Sequence, residues 1–111
     1  MNDCLFCKIA GKKIPSMIVR ETDEWVAFRD INPQAPTHVL VVPRKHVATV
    51  NDLDPATAGM LVEAGKSIAR EEGLAERGYR LVLNCNAEAG QTVFHVHLHL
   101  LGGRTMKWPP G

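Results

Sequence analysis

At 111 residues the chain has the length of one domain, since single cores usually run to about 100–150 residues. Its 45% hydrophobic and 23% charged residues exclude a disordered or fibrous protein and leave an ordinary globular one. Thirteen Lys plus Arg against twelve Asp plus Glu give a formal charge of +1, so no basic excess points to nucleic acid or anionic lipid.

The N-terminal Met1-Asn2-Asp3-Cys4-Leu5-Phe6-Cys7-Lys8 shows no basic region followed by a long apolar run, so no signal peptide is expected. No apolar stretch approaches the roughly 20 residues that span a bilayer, and a cytoplasmic location is the expectation. Three cysteines are an odd number, which argues against a secreted disulfide framework. Cys4-x-x-Cys7 suits a redox pair or half of a zinc site. The redox reading is the weaker, because no strand precedes the motif as a thioredoxin-type pair requires. Cys85, inside an apolar run, reads as a small core residue.

Leu5 to Ile9 reads as a short helix ended by Gly11. Met17 to Glu21 and Trp25 to Arg29 are β-like runs joined at Thr22-Asp23-Glu24, a hairpin signal. The two prolines of Asp30 to Pro36 predict a structured loop, followed by a strand over His38–Val42 that Pro43 stops. The clearest helix opens at Asp54-Pro55, an N-cap candidate with proline at the first helical position. Ala58, Leu61, Gly65, Ile68 and Ala69 recur at helical spacing, and the helix ends around Glu72-Gly73. Arg80 to Cys85 reads as a strand, Asn86 to Thr92 as a loop and Val93 to Leu101 as a last strand. Five strands with hairpin-like connections and one long helix predict an α+β fold with a mostly antiparallel sheet, one domain over residues 1–111. The helix covers one face of that sheet, and the other is left to bind something.

His95-Val96-His97-Leu98-His99-Leu100-Leu101 alternates with period two. In a strand this sets three imidazoles on one face, roughly 6.5–7 Å apart, with Val96, Leu98 and Leu100 in the core. Lys, Glu or Thr would serve a merely solvated face. A His-x-His pair can ligate zinc, and a neutral imidazole can attack phosphorus while its neighbours move protons. Spacing alone favours neither. Gly90-Gln91-Thr92 immediately upstream combines flexible backbone with amide and hydroxyl donors that suit a phosphate oxygen, which tilts the balance towards phosphorus chemistry.

Gly90-Gln91-Thr92-Val93-Phe94-His95-Val96-His97-Leu98-His99-Leu100-Leu101 resembles the signature of the histidine triad (HIT) superfamily, three histidines separated by hydrophobic residues. Gly102-Gly103-Arg104 and Trp108-Pro109-Pro110-Gly111 resemble the Hint branch, the purine nucleoside phosphoramidases. Phe28 to His38 and Pro43-Arg44-Lys45-His46 match as well, so the similarity spans almost the whole chain. The resemblance implies a HIT-like fold and a hydrolase of P–N bonds. His97, the middle histidine, would attack the α-phosphorus of an adenosine 5'-phosphoramidate or aminoacyl adenylate. A nucleotidyl-imidazole intermediate would then be hydrolysed to AMP. His99 and His38 match the remaining catalytic histidines. Gln91 and Thr92 match phosphate-contacting positions, where the branch usually has serine at Thr92. Phe94 stands where tyrosine is common, and Asn84 matches a position near phosphate and ribose.

Asp30 matches the acid that binds the ribose hydroxyls, although by itself it reads as a turn residue before Asn32-Pro33. Leu5, Phe6, Ile9, Phe28 and Ile31 match an apolar slot for the purine. The resemblance further assigns Cys4, Cys7, His46 and His95 to a structural zinc, a complete tetrahedral Cys₂His₂ shell. It implies a homodimer whose Trp108-bearing tail shapes choice of leaving group. A dinucleoside polyphosphate hydrolase, a nucleotide-binding regulatory module and a zinc metallohydrolase are the competing readings.

Overall fold

The computed structural model describes residues 3–111. Met1 and Asn2, part of the segment read for a signal peptide, lie outside the described residues. Helix α1 (Leu5–Ala10) is followed by strands β1 (Ile18–Glu21), β2 (Trp25–Arg29) and β3 (Thr37–Pro43), then helix α2 (Pro55–Glu71), and strands β4 (Tyr79–Leu83) and β5 (Leu98–Gly102). The five strands form one sheet in the order β1-β2-β3-β5-β4, and every neighbouring pair is antiparallel. Among the described residues no helix is long and apolar enough to cross a membrane.

Local chemistry sets the element ends. Asp54 caps α2 by accepting the Thr57 N–H at 2.6 Å, with Pro55 in the first turn where its missing N–H costs nothing. Gly73, at φ 77°, supplies the left-handed residue beyond the helix end. α2 buries Leu61, Ala64, Gly65, Ile68 and Ala69 against one sheet face, together with Val39, Val41, Val96, Leu98 and Leu100. Gly65 is required there by close approach: a Cβ on it would lie 2.7 Å from a Leu98 methyl. On the opposite face Phe6, Ile9 and Ala10 of α1 pack with Val26, Phe28, Leu40 and Val42. Alternation along β2 and β3 therefore feeds two cores, one per face. α1 covers only part of its side, and the cavity described below opens beside it.

The last strand is shorter than its sequence pattern predicts. Val93–His97 is irregular, and β5 begins at Leu98. β3 and β5 pair Val41 with Leu98, so the same register would bring Pro43 opposite Val96. Proline has no N–H to offer a ladder. The Val96 N–H instead donates to the Val47 carbonyl at 2.7 Å, which draws the chain off the sheet. The period-two pattern nevertheless survives as a division of sides: Val96, Leu98 and Leu100 enter the α2 core while all three histidines stay out of it.

Candidate functional site

The three histidines separate into two groups. His95 is fully buried, and its Nε2 lies 2.7 Å from the Pro43 carbonyl. A carbonyl only accepts, so Nε2 carries the proton and Nδ1 is left with a lone pair. That Nδ1 lies 3.2 Å from Cys4 Sγ and 3.3 Å from Cys7 Sγ, while His46 Nδ1 is 3.4 Å from Cys7 Sγ. The ligand atoms of Cys4, Cys7, His46 and His95 all lie within 4.8 Å of one another. Tetrahedral zinc with ordinary Zn–S and Zn–N bonds sets sulfur and nitrogen ligands ~3.5 Å apart, so these four side chains could hold that ion. The Pro43 carbonyl is the outer partner that such a metal-binding histidine normally has. Cys4 also caps α1, its Sγ accepting the Cys7 N–H at 3.3 Å. The four residues that the resemblance assigns to zinc are thereby brought together by the fold from the α1 segment, the segment after β3 and the segment before β5.

His97 faces the other way. Its Nδ1 lies 2.8 Å from the His95 carbonyl, which fixes the proton on Nδ1 and leaves Nε2 unprotonated. The Phe6 ring stands edge-on to it, with centroids 4.9 Å apart and an interplanar angle of 88°. Burial is the largest influence on the His97 pKa and lowers it, opposed by its bond to the His95 carbonyl and by Asp30. The imidazole is therefore neutral near pH 7.

Behind it, the Gln34 N–H donates to His38 Nδ1 at 3.0 Å, so the remaining proton of neutral His38 sits on Nε2. His38 Nε2 lies 3.0 Å from His99 Nδ1 and 3.5 Å from an Asp30 carboxylate oxygen. His99 thus accepts at Nδ1 and carries its own proton on Nε2. Burial, followed by the neighbouring His97 and His38, pushes His99 from 6.5 down to about 4, and burial lowers His38 as well. Asp30, His38 and His99 also lie close enough to surround an ion. The chemistry of this set does not suit one, because the Gln34 bond leaves a proton, not a lone pair, on the His38 nitrogen that faces the others. The Asp30 turn role holds too: its other oxygen accepts the Asn32 N–H at 2.8 Å.

His97 and His99 border a cavity of about 320 Å³ beside α1. Leu5, Phe6, Ile9, Phe28, Asp30, Ile31 and Thr92 line it, so nine of the residues singled out in the sequence meet at one opening. Ile31 is 98% exposed and stands at its rim. Ile14, Pro15, Ser16 and Leu40 also line it and carried no motif in the sequence. Only the Ile-Pro pair in the segment joining α1 to β1 hinted at a structured wall. A second cavity of about 590 Å³ shares His99 and is bordered by His38, Asn84, Arg80, Arg104 and the C-terminal Gly111. Asn84 therefore lies on the far side of His99 from the apolar slot.

Gln91 is buried, and its side chain is fully engaged within the protein. Nε2 donates to the Ala48 and Val93 carbonyls at 2.9 and 3.1 Å, and Oε1 accepts the Asn86 N–H at 2.8 Å. Gln91 braces the loop ahead of the histidines, whereas Thr92 is exposed beside the cavity. Trp108 is 81% exposed and borders neither cavity in the single chain.

The HIT domain family matches residues 11–106. The chain is 47% identical over 108 residues to the purine nucleoside phosphoramidase of Escherichia coli strain K12, covering 95% of this chain and 91% of that protein. It is similar to the crystal structure of a HIT family hydrolase from Legionella pneumophila Philadelphia 1, with 54% identity and a TM-score of 0.92 over 98% of this chain and 100% of that one. A zinc-bound histidine triad family protein from Mycobacterium smegmatis shares 34% identity at a TM-score of 0.84, covering 92% of this chain and 76% of that chain. With the two histidine groups, the antiparallel sheet and these similarities together, the chain belongs to the HIT family.

Proposed function

We propose that the protein is a purine nucleoside phosphoramidase that releases AMP from adenosine 5'-phosphoramidates or aminoacyl adenylates. The observation that carries this reading is the His97 tautomer: its Nδ1–H is committed to the His95 carbonyl, leaving a neutral Nε2 lone pair beside a cavity. Nε2 attacks the α-phosphorus, and the P–N bond of a phosphoramidate, or the P–O bond to the acyl group of an aminoacyl adenylate, breaks to release the amine or the carboxylate. The resulting cation is stabilised through Nδ1–H, whose bond to the carbonyl becomes charge-assisted. The departing nitrogen takes its proton from the His38–His99 pair, and the water that cleaves the nucleotidyl-histidine returns one. Asp30 accepts from the ribose hydroxyls, and Leu5, Phe6, Ile9, Phe28 and Ile31 enclose the purine. Thr92 donates to phosphate; Asn84 approaches it from the second cavity, and Gln91 acts by holding the loop.

Zinc on Cys4, Cys7, His46 and His95 supplies a structural anchor, because Cys₂His₂ leaves no open coordination position. Phe6 lies between the two cysteines in sequence and against His97 in space, so the same six-residue helix borders both centres. Short helices of this length are not stable alone. The name of the Escherichia coli relative supports the phosphoramidase reading, and that of the Mycobacterium smegmatis relative supports zinc. A homodimer belongs to the same proposal: β1 and β4 are the edge strands, where a second copy can add, and Arg80 of β4 holds the Lys107 carbonyl at 2.9 Å, next to Trp108 in the tail. Trp108 would there meet the leaving group. A cytoplasmic location completes the reading.

Incubation with an adenosine 5'-phosphoramidate tests it. Wild type should release AMP, and His97→Ala should lose at least ~10³-fold in kcat. Full turnover by His97→Ala would remove His97 as the nucleophile.

A further inference from the structure

The apolar slot contains a polar group that neither the proposed mechanism nor a neighbouring side chain engages. Ser16 lines the cavity, and its Oγ is shielded from solvent with no hydrogen-bond partner among the described residues. A buried hydroxyl without a partner carries the cost of its lost hydration with no return. Other buried polar side chains of the protein are satisfied: Gln91 makes three bonds, and His38 and His95 each have partners. Among the described residues Ser16 is the exception.

Its position explains what it faces. Ile14 and Ile18 pack with the Phe6, Ile9 and Phe28 cluster, whereas Met17 is 73% exposed. Alternation places Ser16 on the side of Ile14 and Ile18, in the hydrocarbon wall of the cavity. Of the other polar residues at this cavity, Asp30, Thr92, His97 and His99 are taken by ribose and phosphate in the proposed function, and the Arg29 guanidinium is paired with the Glu72 carboxylate at 2.9 and 3.0 Å. A wall of hydrocarbon alone would grip any flat ring and would leave the polar edge of a purine unpaired.

We propose that Ser16 is a specificity-determining residue that hydrogen-bonds the edge of the bound base. Rotation about χ1, its one side-chain torsion, swings Oγ from the wall into the cavity. A hydroxyl both donates and accepts, so it pairs with a ring nitrogen or an exocyclic amine. The inference rests on the nucleotide reading of this cavity and adds to it the group that reads the base.

The test compares wild type with Ser16→Ala in the full-length protein, by calorimetric titration with AMP and by thermal unfolding without ligand. Loss of one neutral hydrogen bond should raise the AMP Kd about 3- to 10-fold. Unliganded Ser16→Ala should melt at the same temperature as wild type or higher, because the substitution deletes a buried unpartnered hydroxyl. An unchanged Kd overturns the proposal. So does a weakened Kd accompanied by a lowered melting temperature, which would make Ser16 a structural residue. Failure of wild type to bind AMP is a separate outcome and refutes the nucleotide reading itself.

Discussion

Lowering the pH from 7 to 4 perturbs the histidine cluster in a way whose sign follows from burial. His99 moves from an ordinary 6.5 to about 4, chiefly because burial disfavours its charged form, with His97 and His38 acting in the same direction. The folded chain therefore binds fewer protons than the unfolded chain between those two values. Stability must rise with pH through that window and fall as the pH is lowered through it. Above 6.5 neither state is protonated at this site, and the full stability is present. By pH 4, at ~1.4 kcal/mol per pH unit, the loss from His99 alone reaches about 3 kcal/mol. That figure is an upper bound, because the ring is only half-buried and solvent screens part of it. His38 and His97, also lowered by burial, add in the same direction. Urea denaturation of wild type and His99→Gln across pH 7 to 4 isolates the effect, since other acid-sensitive groups cancel in the comparison. The wild type should lose more stability than the variant, and its acid limb of kcat/KM should lie well below 6.5. Parallel stability curves for the two proteins, or an activity midpoint at 6.5, would refute the reasoning.

Metal removal by a chelator, or Cys7→Ser, which deletes a ligand, should loosen α1, a helix too short to be stable alone, and weaken AMP binding on the order of 10-fold, ~1.4 kcal/mol. Turnover at saturating substrate should change far less. Equal AMP affinity in metal-replete and chelated protein, measured by calorimetry, would uncouple the two centres. Gly65→Val should destabilise the protein by roughly 1–3 kcal/mol in urea melts, because a Cβ there meets Leu98 at 2.7 Å and Leu81 at 3.1 Å. A variant as stable as wild type would show that the α2–sheet contact yields without cost.

Much of the fold is legible in local chemistry. Asp54-Pro55 opens α2 and the Glu72-Gly73 region closes it, as expected from capping and from glycine's access to positive φ. The hairpin of β1 and β2 and the strand before Pro43 form where their β-branched and aromatic runs predict. The last strand is different. Its alternation extends to Val93, yet pairing begins only at Leu98, because the residue across from Val96 is a proline. No pattern within residues 93–101 contains that information. Gln91 is similar: its residue type suits a phosphate, and only its three bonds to the backbone show that it is occupied elsewhere.

The sequence by itself determined the kinds of residue available for chemistry: a Cys-x-x-Cys pair, three alternating histidines, and an acid before a proline-rich loop. These are properties of composition and short-range spacing, which the backbone period translates into faces. Only the tertiary structure decided how those residues are used. The proton on each imidazole is set by a carbonyl or amide distant in sequence or by the local bend, Pro43 for His95, the His95 carbonyl for His97 and Gln34 for His38. That choice directs the lone pair of His95 towards the cysteines and gives His97 its unprotonated Nε2. An imidazole's function depends on which nitrogen is protonated, and that is fixed by a hydrogen-bond partner that spacing along one strand does not specify.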